Sequence, residues 1–437
     1  FIAEVDRTMR AMIAENLPII KHSVPREEAI ERFQKLGRSG KVNLLSELSK
    51  PVISIYTCED YTDYLYGPML YETQHLDQFE LDYEPFGVLI RTPDERTKGE
   101  IRKRINQPKF GSILAESKAW ADILECRFIS DLNRINRENS IGELIRISEG
   151  LQEKRIAQIA DHISANREHI RLILIAGPSS SGKTSFAQRL RIQLRVNGLR
   201  PVMISLDDYF LNREDTPLNE KGQYDYESLD ALDTKLFNQN MIALLAGQEI
   251  QIPRYNFITG MREWKEDAFL SICNDQPIII EGIHGLNEYL TEDIPRKNKY
   301  KIYISALTQL NIDAHNRIPT TEVRFLRRLV RDYQFRGAKA LKSIRQWPDV
   351  RAGEEKYIFP FQEDADVLFN SALIYEIGVL KKYAVPLLEE INCGEEGYTE
   401  ARLILRFLQY VDEISAIDDI PNNSILREFI GKSVFFS

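Results

Sequence analysis

The second half of the sequence predicts an α/β fold with a parallel sheet covered by helices on both faces. Short apolar runs recur there between helical segments, namely RLILIA, PVMISLDD, PIIIEG, KYKIYIS and ADVLFN. Continuous apolar runs of this length are typical of parallel strands buried on both sides. A loop rich in glycine and serine directly follows the first run, which predicts a ligand site at the carboxyl edge of the sheet.

The remaining chain divides into three further segments. Residues 1–90 contain a helical pattern in PREEAIERFQKLG and short β-prone runs, which together predict a small α+β domain. Residues 91–170 are helical and heavily charged and predict a helical connector. The α/β domain spans 171–390, and residues 391–437 predict a C-terminal helical extension with TEARLILRFLQYVDEI as its clearest part.

Composition excludes several classes of protein. A chain of 437 residues with 43% hydrophobic and 28% charged residues is globular, neither fibrous nor membrane-embedded. Its net charge of −9 argues against broad nonspecific binding to nucleic acid. The four cysteines are far apart, which predicts neither a disulfide framework nor a zinc site. We expect a cytoplasmic protein without a membrane segment, and the start at Phe1 suggests that upstream sequence is missing.

The glycine-rich loop matches the phosphate-binding pattern G-x-x-x-x-G-K-[ST]. Its glycines let backbone N–H groups turn toward phosphates, the lysine reaches the β- and γ-phosphates, and the threonine hydroxyl is placed for Mg²⁺. An apolar strand precedes the loop and an amphipathic helix follows it, so a helix N-terminus points at the anion. The sequence therefore predicts binding of ATP and Mg²⁺. The predicted nucleotide-binding residues are Gly177, Pro178, Ser179, Ser180, Ser181, Gly182, Lys183, Thr184 and Ser185.

Acidic residues end two of the predicted strands. Asp207 and Asp208 end VMISLDD, and Glu281 ends the run PIIIE. A carboxylate at Asp207 can orient an acceptor hydroxyl and take its proton, or it can hold Mg²⁺ through water. The alternative is an Asp pair that caps the next helix. We predict Thr184 and Glu281 as metal ligands, and His284 as a structural residue because phosphoryl transfer needs little general acid from the protein.

An arginine-rich segment, EVRFLRRLVRDYQFRG, spans residues 322–337. At helical spacing, Arg324, Arg328 and Arg331 share one face. A helix of this kind can pack on its apolar side and still offer guanidinium groups to a transferring phosphoryl group. We predict a mobile lid. The alternative is a solvated basic face paired with surface acids.

Six motifs in order resemble the uridine kinase and phosphoribulokinase group of P-loop kinases. They are GPSSSGKTSFAQRL, SLDDYF, QYDYESLDALD, IPRYNF, IIIEGIHGL and RRLVRDYQFRG, and they cover about residues 171–370. The resemblance implies an α/β P-loop kinase fold, with Asp207 as base for a nucleoside 5′-hydroxyl and Glu227 as ligand of the ribose hydroxyls. It implies a base pocket with Tyr255, Phe257 and Arg262. It also implies catalytic roles for Lys183 and for the lid arginines Arg328, Arg331 and Arg336.

Two departures from that family pattern concern the acceptor. Gly260 occupies the position at which uridine kinases usually carry a histidine that contacts the base. Its loss removes a contact that would select pyrimidine, because a site built to hydrogen-bond its substrate discriminates strongly. Glu227 occupies the position at which those kinases have Asp, so the negative charge is kept on a longer side chain.

The first 90 residues resemble the editing-associated second domain of threonyl-tRNA synthetase. The resemblance rests on ENLPIIKHSVPREEAIERF, KVNLLSEL and YTDYLYGPMLYET. Leu65 and Met69 occupy the positions at which that family has its editing Cys and His, so hydrolytic editing is not expected. His22 and His75 are expected to be surface or packing residues. Both halves together resemble bacterial fused proteins described as uridine kinase-like.

These observations predict ATP- and Mg²⁺-dependent phosphorylation of a nucleoside, uridine-like, at its 5′-hydroxyl. One alternative is a kinase for another hydroxylated small molecule, although acids and aromatics dominate from Tyr224 to Glu227. Another is a nucleotide-switched, RNA-binding regulatory protein that contacts tRNA through its N-terminal domain. Apolar faces in the connector and C-terminal helices fit a homo-oligomer or an intramolecular core equally.

Overall fold

The computed structural model describes residues 1–65, 67, 69–85, 87–93, 97, 99–219 and 222–436. The chain forms two compact units. Residues 1–139, 309–318 and 406–412 make up the first, and residues 140–308, 319–405 and 413–437 make up the second.

The first unit is a small α+β structure. Its helices are α1 (Ile2–Ala14), α2 (Arg26–Lys35), α3 (Ser39–Ser46), α4 (Pro108–Ile123) and α5 (Ile129–Arg137). Its strands are β1 (Ile20–Pro25), β2 (Val52–Cys58), β3 (Tyr61–Asp63), β4 (Glu80–Glu84) and β5 (Gly87–Arg91). Strands β1, β2 and β3 form one antiparallel sheet, and β4 pairs with β5. The helix predicted in PREEAIERFQKLG is confirmed as α2, which buries Ala29 and Phe33.

A buried ion network ties the inserted segment 309–318 to the rest of the first unit. The Lys41 ammonium group lies 2.8 Å from Asp63 Oδ1 and 3.0 Å from Asp313 Oδ2. His315 Nδ1 lies 2.6 Å from the second oxygen of Asp63. Because a buried charge is costly unless it is paired, these contacts fix the inserted segment in place.

The second unit contains a five-stranded parallel sheet. The strands of this unit are β6 (Leu172–Ala176), β7 (Val202–Ser205), β8 (Ile250–Gln251), β9 (Arg254–Asn256), β10 (Met261–Glu263), β11 (Phe269–Leu270), β12 (Ile278–Glu281), β13 (Lys299–Ser305) and β14 (Val367–Asn370). The main sheet has the order β14-β13-β6-β12-β7, and its neighbours are all parallel. Each of the five apolar runs therefore forms a strand, as the sequence predicts.

Helices flank this sheet. The helices after residue 140 are α6 (Ile141–Ala165), α7 (Lys183–Val196), α8 (Thr234–Leu245), α9 (Thr320–Arg336), α10 (Ala340–Tyr357), α11 (Glu376–Glu389), α12 (Tyr398–Leu408) and α13 (Arg427–Ile430). Phe237 and Met241 of α8 pack with Leu172 and Leu174 of β6 in one buried cluster. The helix predicted in TEARLILRFLQYVDEI is α12, which ends at Leu408. None of the helices in the described part of the chain is long and apolar enough to cross a bilayer.

Candidate active site

The phosphate loop joins the end of β6 to the first residue of α7. Gly182 is the N-cap of α7 and has a left-handed backbone with φ of 81°. Gly177 approaches β13 so closely that a Cβ atom on it would lie 2.0 Å from the Ile304 carbonyl oxygen. These two glycines therefore fulfil different needs: Gly182 supplies a conformation that other residues rarely adopt, and Gly177 leaves room for β13.

Lys183 folds back over the loop. Its Nζ donates to the carbonyl oxygens of Gly177 at 2.9 Å and Pro178 at 3.2 Å. Helices α9 and α10 hold the loop from the other side, because the Ser179 amide donates to Glu354 and the Ser179 hydroxyl accepts from Arg328 at 2.9 Å. The loop is therefore fixed by side chains that lie far away in the sequence.

The arginines of α9 divide into two groups. Arg324 and Arg327 are buried, with Arg324 bonded to Glu354 and Arg327 bonded to Glu376, each pair at 2.8 Å. Arg324 thus has a structural contact, although the sequence placed it on one face with Arg328 and Arg331. The second group contains the three predicted lid residues, Arg328, Arg331 and Arg336. Each of these three lies within 3.5 Å of an oxygen of Asp332.

Asp207 and Asp208 lie just beyond β7. This strand ends at Ser205, so the expectation that the aspartates end the strand was wrong, and both lie in the 3-10 turn Leu206–Tyr209. The Ser205 hydroxyl accepts from the Asp207 amide and caps that turn, because its side chain competes well for free backbone donors. Asp207 is accessible to solvent, but the surrounding protein desolvates it and raises its pKa, against the opposing charge of Lys183. Asp208 instead accepts from the Tyr255 amide at 3.3 Å.

Glu281 is the last residue of β12 and lies beside Thr184. The Thr184 hydroxyl oxygen is 3.5 Å from Glu281 Oε2, and Ser205 Oγ is 3.5 Å from Oε1. Burial raises the pKa of Glu281 to about 7, with a further rise from Asp207 and an opposing effect of Lys183. A hydroxyl and a carboxylate are hard oxygen donors that fit Mg²⁺, which typically keeps several waters and takes few protein ligands. The described residues contain no cluster of three His, Cys, Asp or Glu side chains suited to a metal.

Glu227 shares the electrostatic environment of these residues. Burial raises its pKa to about 7, Glu354 raises it further, and Arg328 and Lys183 oppose the rise. Helix α10 packs directly on it, because a Cβ atom on Gly353 would lie 2.8 Å from Glu227 Cβ. The structure therefore brings Lys183, Asp207, Glu227, Glu281 and Arg328 into one region.

The predicted aromatic residues form a second part of the site. The ring centroids of Tyr255 and Phe257 are 5.0 Å apart, and Phe210 lies 5.5 Å from Tyr255. Tyr255 is buried, whereas Phe257 is 62% exposed and is the ring available to a ligand. Arg262 is engaged elsewhere: its Nη1 lies 2.8 Å from Asp233 Oδ2, and Asp233 caps α8.

Arg213 is a candidate that sequence reasoning missed. Gly260 has φ of 73°, and a Cβ atom there would lie 2.6 Å from Arg213 Nε. The Arg213 guanidinium group therefore occupies the space that a side chain at Gly260 would fill, and its Nη2 donates to the Phe257 carbonyl oxygen at 3.2 Å. Arg213 belongs to no motif, so only the approach of the two segments in the fold reveals it.

Glu428 is the second residue that the sequence did not suggest. Both the amide and the hydroxyl of Ser185 donate to its Oε2, at 3.2 and 2.7 Å. The surrounding tail carries no recognisable motif, so nothing in the sequence indicated a contact with the phosphate loop.

His284 packs within this region, whereas His22 and His75 belong to the first unit. His284 is buried, its ring lies 6.1 Å from that of Tyr357, and burial lowers its pKa to about 4. It is therefore neutral at pH 7. In the first unit, His22 Nε2 lies 2.8 Å from Thr57 Oγ1 and His75 Nε2 lies 2.8 Å from the Tyr71 hydroxyl oxygen.

The sequence of the second unit is similar to that of known kinases. The model of the family described as "Phosphoribulokinase / Uridine kinase family" matches residues 172–376. The uridine kinase of Chloroflexus aurantiacus is 30% identical over 199 residues, which is 45% of this chain and 85% of that protein. That of Deinococcus deserti is 29% identical over 46% of this chain and 88% of that protein. The uridine kinase of Saccharomyces cerevisiae is 30% identical over 59% of this chain and 46% of that protein.

Proposed function

Because this chain belongs to the phosphoribulokinase and uridine kinase family, we propose that it transfers a phosphoryl group from ATP to the 5′-hydroxyl of a nucleoside. The chain is a phosphotransferase with an alcohol acceptor. The nucleoside acceptor is supported by the names of the relatives. The observation that carries the proposal is the convergence of a phosphate loop, an accessible aspartate and an aromatic pocket at one edge of the sheet.

The donor side of the proposed reaction is the phosphate loop. The backbone amides at the start of α7 would bind the phosphates of ATP, and Lys183 would exchange its two carbonyl partners for phosphate oxygens. Thr184 and Glu281 would hold Mg²⁺, which neutralises negative charge on the phosphates when bound. A divalent cation next to Glu281 would also favour its ionised form, which burial otherwise disfavours.

The acceptor side is formed by Asp207, Glu227 and the aromatic rings. Asp207 would accept the hydrogen bond of the attacking hydroxyl and take its proton, for which a raised pKa is favourable. Glu227 would accept hydrogen bonds from sugar hydroxyl groups. Phe257 would stack on the base, and Arg213 would donate to it in the space that Gly260 leaves free.

The lid arginines complete the proposed site. Arg328 already contacts Ser179 of the phosphate loop, so its guanidinium group is close to the expected position of the phosphates. Arg331 and Arg336 are held by Asp332 and would stabilise the charge of the transferring group. This positioning and charge neutralisation are the main demands of phosphoryl transfer.

The test is ADP release with Mg·ATP over a panel of ribo- and deoxyribonucleosides. We expect at least one nucleoside to stimulate turnover and Asp207→Asn to remove the stimulation. Asp275→Asn is the matched control, because it removes the same charge from an exposed loop before β12. If the protein binds ATP but no nucleoside stimulates ADP release, the nucleoside proposal is wrong. Another acceptor, or the regulatory alternative, would then be favoured.

A kinase for a different hydroxylated molecule is the second candidate. The observation that favours it is Arg213, because a guanidinium group beside the aromatic pocket also suits an acceptor that carries an anionic group. Ribulose 5-phosphate and pantothenate therefore belong in the same panel. The resemblance of residues 1–90 to a synthetase domain, and a contact of that segment with tRNA, stay predictions. Measurement of salt-dependent tRNA binding would test the contact.

A further inference from the structure

The C-terminal segment, residues 424–436, lies against the phosphate loop within the second unit. Oε2 of Glu428 accepts hydrogen bonds from the Ser185 amide and the Ser185 hydroxyl. Ser185 is the third residue of α7, so its amide is one of the donors that have no partner within the helix. Amides at this position of a phosphate loop are the ones that bind phosphate. A carboxylate of the protein therefore occupies a donor that the proposed nucleotide requires.

The backbone of this segment is firmly anchored. Leu426 and Phe429 are fully buried, and the Arg327 guanidinium group lies 5.1 Å from the centre of the Phe429 ring. Ile425 packs on the loop itself, since a Cβ atom on Gly182 would lie 2.4 Å from Ile425 Cγ2. Glu428 is only half-buried, so its side chain can rotate away from Ser185 without displacement of the segment.

A cavity of about 310 Å³ lies beside this contact. Its wall contains Glu428 and Thr184 together with four basic residues and two partly exposed phenyl rings. The basic residues are Arg331, Arg336, Arg427 and Lys432, and the phenyl rings are those of Phe335 and Phe436. Basic and aromatic side chains around a concave surface suit an anionic ligand with a planar ring. The space that a nucleotide needs is therefore present next to the donor that Glu428 occupies.

We propose that Glu428 is a built-in competitor of the nucleotide phosphate for the Ser185 donors. The inference rests on the proposed use of ATP. One amide cannot give a full hydrogen bond to two oxygen anions, and two anions at the same helix N-terminus repel each other. Nucleotide binding thus requires Glu428 to rotate away, and the apparent affinity falls by the fraction of molecules in which the donors are free. The segment sets how much nucleotide is needed to fill the site.

The experiment is titration calorimetry of Mg·ADP into the full chain and its variants. Glu428→Gln keeps the length of the side chain but removes its charge, and Glu428→Ala removes the competing oxygen. We expect both to bind ADP about tenfold more tightly than the parent chain, the change expected from one charge-assisted hydrogen bond. Glu389→Gln removes the same charge from the exposed end of α11 and should bind ADP with the parent affinity.

The outcomes separate the two proposals. ADP binding by the parent chain with equal or weaker binding by both Glu428 variants, at unchanged circular dichroism and melting temperature, overturns the competition and leaves the kinase proposal intact. Failure of the parent chain and every variant to bind ADP overturns both. A gain in affinity in one Glu428 variant but not in Glu389→Gln supports the competition, because only the local carboxylate has then been removed.

Discussion

The donor and acceptor sides of the proposed site differ in how the sequence encodes them. The donor side is one continuous stretch, residues 176–185, in which spacing, flanking strand and flanking helix all indicate the same structure. The acceptor side is assembled from separate segments that contain Asp207, Arg213, Glu227 and Phe257. A continuous motif carries its geometry in the local backbone, whereas an assembled pocket depends on how distant segments pack. The two sides should therefore respond differently to substitution.

The largest effect is expected on the donor side. Lys183→Ala removes the only charged side chain of the loop, residues 176–185. It should lower turnover by about a thousandfold, because phosphoryl transfer depends on stabilisation of negative charge. The measurement is ADP release at saturating acceptor. Lys342→Ala, which removes an exposed ammonium group from α10, is the control and should retain parent turnover. A comparable loss of turnover in both variants would show that removal of any positive charge lowers turnover, whatever its position.

An intermediate effect is expected from Glu227 on the acceptor side. Glu227→Gln should raise KM for the acceptor about tenfold, because a neutral amide accepts weaker hydrogen bonds from sugar hydroxyl groups. The pKa of Glu227 is raised to about 7, so the carboxylate is ionised above that pH and becomes protonated as the pH falls through it. KM of the parent chain should therefore increase below about pH 7.

The pH dependence of KM tests whether Glu227 binds the acceptor or only packs beside it. If Glu227 binds the acceptor, the part of the KM rise that is due to its protonation will be absent in Glu227→Gln. The measurement is KM for the acceptor between pH 6 and 8 in both proteins. Parallel pH profiles would contradict the assigned role, because Asp207 and Glu281, whose pKa values are also raised, would then account for the whole dependence.

A smaller and more selective effect is expected from Arg213. Arg213→Ala should weaken acceptor binding by roughly fivefold to tenfold and reduce discrimination between acceptors, because the donor beside Gly260 is lost. KM for ATP should stay at the parent value, which separates this variant from a general loss of structure. Arg296→Ala provides the control, since Arg296 pairs with Asp366 elsewhere on the surface. An equal change in KM for ATP would exclude a role restricted to the acceptor.

Particular residues show what sequence could predict. The five parallel strands and the phosphate loop follow from apolar runs and fixed spacing, which determine local structure. The division of the α9 arginines into two groups could not be predicted from the sequence. Arg324 and Arg327 pair with Glu354 and Glu376, and these carboxylates lie on other helices. Helical spacing grouped Arg324 with Arg328, and both contact Ser179, but Arg324 is fully buried and paired with Glu354, whereas Arg328 is only half-buried. Glu428 was missed for the same reason, since its partner lies 243 residues away.

The last effect concerns stability instead of turnover and arises from His284, which is buried beside Tyr357. Burial lowers its pKa to about 4, so the folded protein keeps the ring neutral while the unfolded chain takes up a proton below about pH 6.5. Its contribution to stability is therefore fully present above pH 6.5 and is lost as the pH falls toward 4. Between pH 6.5 and 5 the loss should amount to about 2 kcal/mol, because each pH unit contributes about 1.4 kcal/mol.

His284→Gln isolates this contribution because glutamine does not titrate. The free energy of unfolding, measured with urea from pH 7 to 4.5, should fall less steeply with acid in the variant than in the parent chain. Equal slopes would mean that the ring can take up a proton in the folded state without cost. In that case His284 would be open to water, and its position beside Tyr357 would not exclude the charged ring.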